Sequence, residues 1–80
     1  MIHICDVVQV NPEILLGQTV FKGTRVPVET IFDYLESGES LELFLSEFPS
    51  VSREQALSVL EIASKMVSNS NFIQVHGIAA

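Results

Sequence analysis

Between residues 28 and 68 apolar side chains recur every three or four positions, whereas up to residue 10 they roughly alternate with polar ones. The first rhythm is that of helices with one buried face, the second that of a half-buried strand. Residues 2 to 10, from Ile2 to Val10, are rich in β-branched side chains and read as that strand, which Asn11-Pro12 then breaks. Val20, Phe21 and Lys22 have the composition of a second short strand, and Phe72 to Val75 that of a third.

The helical part divides into three. In the first helix Val28, Ile31, Phe32 and Leu35 stand at i, i+3, i+4 and i+7, with Glu29, Asp33 and Glu36 on the other face and Gly38 as the stop. The second starts at Ser40 as N-cap and points Leu41, Phe44, Leu45 and Phe48 inward before Pro49 forbids continuation. Ser52-Arg53-Glu54-Gln55 has the spacing of a capping box, with Val51 and Ala56 placed for a hydrophobic staple. The third helix then runs to about Ser68, with Ala56, Val59, Leu60, Ala63 and Val67 inward, and Glu61 ordered for an i, i+4 pair with Lys65.

A short helix, a turn of about five residues and a longer helix match the helix-turn-helix arrangement, a geometry shared by hairpins with no role in DNA binding. The expectation is one mainly α domain over residues 1–80: a β arm and turn at 1–26, a helical core at 27–69 and a C-terminal extension at 70–80. A chain of 80 residues buries only about 60% of its extended surface on folding. Its composition is 48% hydrophobic and its mean hydropathy positive, more apolar material than so small a monomer hides readily. A homodimer, or a partner covering the surplus, is therefore expected.

Charge narrows the partners. Ten acidic residues against four basic give a formal charge of −6, so the average field repels nucleic acid. A local basic cluster can still act where distant charges are screened. No stretch has the roughly 20 apolar residues of a membrane span, no export signal is evident, and the single cysteine, Cys5, forms no internal disulfide. These features point to the cytoplasm.

The most informative stretch is Gly17 to Val28, with Lys22-Gly23-Thr24-Arg25 followed by Val26-Pro27. Gly23 suits the positive φ of a tight reversal, and Pro27 presets the φ of a helical first turn. Arg25 carries a planar fork of donors that suits a carboxylate within the domain, Glu29 among them, or a phosphate or an acidic residue of a partner. Lys22 and Arg53 are candidates for phosphate contact, and Gln55 and Ser58 for base edges if the last helix entered a major groove. Glu54 and Glu61 on that helix would oppose phosphates.

Enzymatic chemistry is not expected. Ser, His and Asp form no nucleophile, base and orienting group in sequence, and the acidic pairs Glu29 with Asp33 and Glu36 with Glu39 read as a solubilising face. His3 and Cys5 would share one strand face, with His76 near if the termini paired, but this falls short of a tetrahedral metal set. No cofactor or metal is expected.

The ordered run of these features resembles the bacterial and archaeal domain of unknown function 433. The likeness extends from near residue 11 to near residue 67: Asn11-Pro12, a Gly before a short strand, Lys22-Gly23-Thr24-Arg25 with Val26-Pro27-Val28, a helix ending near Gly38, and Phe48-Pro49 before the last helix. Thr19 stands where the family commonly has proline, and Ile62 where an aromatic residue often precedes the alanine. The resemblance implies a homeodomain-like helix-turn-helix domain with an N-terminal β element, often dimeric. Many members are regarded as antitoxins encoded beside a toxin with a PIN-like nuclease fold. The expected function is thus an antitoxin-like module that neutralises such a nuclease, with or without operator DNA. A helix-turn-helix regulator without a toxin and an oligomeric adaptor are the alternatives.

Overall fold

A computed structural model describes residues 4–10, 12, 13 and 17–69. A single 3-10 turn at Ile4–Asp6 leads into β1 (Val8–Val10), β2 (Thr19–Phe21) and the helices α1 (Glu29–Glu36), α2 (Leu41–Glu47) and α3 (Arg53–Ser68). The described domain is mainly helical, with a two-stranded antiparallel sheet at its N-terminal end.

The register pairs Val8 with Phe21, Gln9 with Val20 and Val10 with Thr19. Lys22 N–H still donates to the Val7 carbonyl at 2.7 Å, but the chain then reverses at Gly23. Among the described residues, 4 to 6 therefore have no partner strand to extend the ladder, and they coil into the 3-10 turn instead of continuing the strand expected from residue 2. Cys5 lies on that turn, exposed, so the shared strand face expected for His3 and Cys5 is corrected at Cys5. His3, His76 and the strand expected at Phe72 to Val75 lie outside the described residues.

The core forms where the three helices and β2 meet. Phe21, Ile31, Phe44 and Ala56 are wholly buried, with Val7, Val51 and Val59 nearly so. Phe44 is the centre of an aromatic cluster: its ring lies 6.0 Å from Phe21, 5.6 Å from Tyr34 in an edge-to-face arrangement and 5.2 Å from Phe48. Such pairs add about 0.5–1.5 kcal/mol each beyond the area they bury.

Local chemistry sets the helix ends. The Ser40 hydroxyl accepts from Leu43 N–H at 3.1 Å, and Ser52 and Gln55 make both bonds of the capping box. Gly38 has a φ of +84°; its N–H donates to Leu35 carbonyl and that of Glu39 to Tyr34 carbonyl. These two bonds are the Schellman pattern, which closes the orphan carbonyls of α1.

Two inward assignments are corrected. Leu35 is 37% exposed and Val67 is 60% exposed. On α1 it is Tyr34 that turns toward α2, edge-on to Phe44 and Phe48, which rotates Leu35 outward. Val67 sits in the last turn of α3, where its neighbour Met66 faces Thr19 and Phe32 instead.

Candidate functional site

The loop between β2 and α1 is held from several directions at once. Thr24 N–H donates to Phe21 carbonyl at 3.0 Å, closing a β-turn with Gly23 at its third position. There φ is +77°, in the left-handed region that favours glycine. The buried Thr24 hydroxyl donates to the same carbonyl at 2.8 Å and accepts from Val26 N–H at 3.0 Å. It acts as an internal brace, with both roles of the hydroxyl in use. Val26 carbonyl in turn accepts from Phe21 N–H at 3.0 Å.

Neighbouring elements grip the same turn. Gln9 on β1 accepts Gly23 N–H at 3.0 Å, and Gln55 on α3 donates its side-chain amide to Lys22 carbonyl at 2.9 Å. Lys22 Nζ reaches back to Cys5 carbonyl at 3.2 Å. Pro27 bridges to Val20, and Val28 N–H donates to Thr19 carbonyl, so the entry to α1 is tied to β2.

Arg25 stands exposed on this fixed loop. Among the described residues its side chain has no ion pair or hydrogen bond. The internal pairing considered for Arg25 and Glu29 does not form; the Glu29 carboxylate accepts from Gln18 Nε2 at 3.4 Å instead. The chain runs through Val26 and Pro27, both tied to β2, before α1 begins, and this separates the guanidinium from the carboxylate at the helix start.

The other candidate residues are otherwise engaged. Arg53 Nη2 donates to both carboxylate oxygens of Glu42 at 2.6 Å, an ion pair between exposed side chains that joins α2 to α3. Gln55 spends its oxygen on Ser52 N–H at 3.0 Å and its amide on Lys22. Ser58 is half-buried on α3. The fold brings Lys22, Arg53 and Gln55 together at the N-terminal end of α3, while Glu42 cancels the charge of Arg53. Sequence reasoning missed Gln9 and Glu42; neither stands at a local spacing that marks it.

Among the described residues no three His, Cys, Asp or Glu side chains form a group able to hold a metal. No described helix is long and apolar enough to cross a membrane. Toward the other end of α3 lies an apolar groove, with Thr19 and Ile62 among its lining residues. The hydroxyl of Tyr34 donates to Glu47 Oε1 at 2.6 Å, and this bond, with desolvation and the charges of Glu47 and Glu39, raises the tyrosine pKa above its usual value.

The architecture is that of a small helical domain whose braced N-terminal turn displays an arginine that is unpaired among the described residues. The chain belongs to the DUF433 family, described as proteins of unknown function, whose model matches residues 8–63. It is 38% identical over 50 residues to the uncharacterised protein y4eO of Sinorhizobium fredii, a match covering 62% of this chain but only 23% of that protein. A crystal structure of a DUF433 member from Anabaena variabilis superposes with a TM-score of 0.65 at 23% identity, covering 75% of this chain and 59% of the other. That last likeness speaks for the fold.

Proposed function

We propose that this protein is a binding module of the antitoxin type, which neutralises a PIN-like nuclease by presenting Arg25 to its acidic, metal-holding pocket. The observation that carries this reading is Arg25 itself, exposed and without a partner among the described residues, on a loop braced by Thr24, Gln9 and Gln55. A guanidinium among the carboxylates of such a pocket takes the place of the metal and forms paired, charge-assisted hydrogen bonds. The antitoxin then needs no chemistry of its own. Because the turn is already ordered, little conformational entropy is lost on docking.

Operator binding draws less support from the geometry. The chain carries −6 overall, Arg53 is matched by Glu42, and both polar ends of the Gln55 side chain are in use.

The test is co-expression with a neighbouring nuclease gene whose product alone arrests growth. Wild-type protein is expected to restore growth, Arg25→Ala to fail, and Arg25→Lys to rescue weakly, since an ammonium lacks the bidentate fork. Equal rescue by Arg25→Ala and wild type would remove Arg25 from the mechanism. Absence of rescue by the wild type would remove the antitoxin reading itself.

A further inference from the structure

The apolar groove has a volume of about 160 Å³ and is walled by Val8 of β1, Val28 and Phe32 at the start of α1, and Val59, Ile62 and Met66 of α3. Met66 is 49% exposed at its edge. An open apolar cleft between helices is the shape that accepts side chains of an amphipathic helix.

The charges around it select the kind of helix. Glu29 and Glu36 stand three positions before and four after Phe32, so both neighbour it on the surface of α1, and both are exposed. Across the groove, Lys65 follows Ile62 by three positions but is matched by Glu61 at 3.4 Å. Among the described residues none of the other three basic side chains pairs with Glu29 or Glu36. Arg53 is the first residue of α3, about 20 Å along the helix from Met66 at 1.5 Å per residue. Lys22 Nζ donates to Cys5 carbonyl at 3.2 Å, and Arg25 forms no ion pair with a described carboxylate. The rim of the groove is therefore acidic in a chain that is itself acidic. A second copy of the chain brings like charge to this rim.

We propose that the groove receives an amphipathic helix of a partner protein, with an apolar stripe seated on Phe32, Ile62 and Met66 and lysine or arginine residues flanking it beside Glu29 and Glu36. The proposal does not depend on the role of Arg25. Leu57, 48% exposed, lies nine positions before Met66 and hence on the opposite side of α3, so self-association through Leu57 leaves the groove open.

Three synthetic helical peptides test it: one with leucines at i, i+3, i+4 and i+7 flanked by lysines, one with the same stripe flanked by glutamates, and one with the lysine peptide's composition but its stripe scrambled. The first is expected to bind at least about tenfold tighter than the other two, a difference of about 1.4 kcal/mol. Its methyl NMR shifts should fall on Val8, Val28, Val59 and Ile62. Met66→Gln, at an exposed position, should weaken binding without moving the melting temperature, and Glu29→Gln with Glu36→Gln should flatten its salt dependence. No binding of the lysine-flanked peptide, or equal binding of the scrambled one, overturns the proposal. Concentration-dependent self-association that shifts the same methyls without peptide assigns the groove to a second copy and overturns it equally.

Discussion

Gln55 and Lys22 are 33 residues apart in sequence, yet the side-chain amide of one donates to the backbone carbonyl of the other at 2.9 Å. The same glutamine accepts Ser52 N–H at 3.0 Å to close the capping box of α3. One side chain thus starts a helix and pins the turn that displays Arg25.

Gln55→Glu separates these two roles. A carboxylate still accepts Ser52 N–H and favours the positive end of the helix dipole, but it has no donor for Lys22 carbonyl and sets oxygen against oxygen there. Helical content by circular dichroism should hold, while amide exchange at Gly23 and Thr24 quickens. Gln55→Ala loses both bonds and should lower stability by about 1–2 kcal/mol in a denaturant titration.

Gly23 tests conformation apart from space. A Cβ there would meet nothing within 4 Å, yet φ is +77°. Gly23→Ala should therefore cost about 1–2 kcal/mol through left-handed strain alone, and Gly23→Asn less, since asparagine tolerates that region better. Equal stability of the alanine variant and wild type in urea unfolding would mean that the turn has another conformation.

The Arg53–Glu42 pair offers a measure of latent nucleic-acid affinity. Both side chains are more than half exposed, so Glu42→Gln should change stability by less than about 1 kcal/mol. The substitution frees Arg53 at the start of α3, but net charge remains strongly negative and gel shifts should stay absent for both proteins. A salt-steep shift that appears only with Glu42→Gln would identify α3 as a DNA-contacting helix masked by α2.

Tyr34 should ionise at a pH above the usual tyrosine value, followed by phenolate absorbance, because Glu47 accepts its proton and opposes a second negative charge. A folded-state pKa raised above the unfolded value contributes stability that is complete below the unfolded value and fades as pH rises through the folded one. Stability is thus unaffected by this group near neutrality and declines on the alkaline side. Tyr34→Phe should remove that alkaline dependence while keeping the ring contacts with Phe44 and Phe48.

Sequence alone determined whatever one turn of chain can dictate. The Ser40 and Ser52 caps, the Gly38 stop, the inward Ile31, Phe44, Ala56 and Val59, and the reversal at Gly23 each follow from hydrogen bonds or periodicity within a few residues. The ordered motif around Gly23 to Arg25 also disclosed the family. Tertiary structure decided the rest, because it depends on how elements are rotated and brought side by side. That rotation chose Tyr34 over Leu35 for the aromatic cluster and, among the described residues, left 4 to 6 without a ladder partner. It also gave Arg53 to Glu42 while leaving Arg25 without a carboxylate among the described residues. The display of the Arg25 guanidinium, unpaired among the described residues, carries the functional reading and is thus a product of packing, since an arginine's partner is set by distances in space that spacing along the chain does not encode.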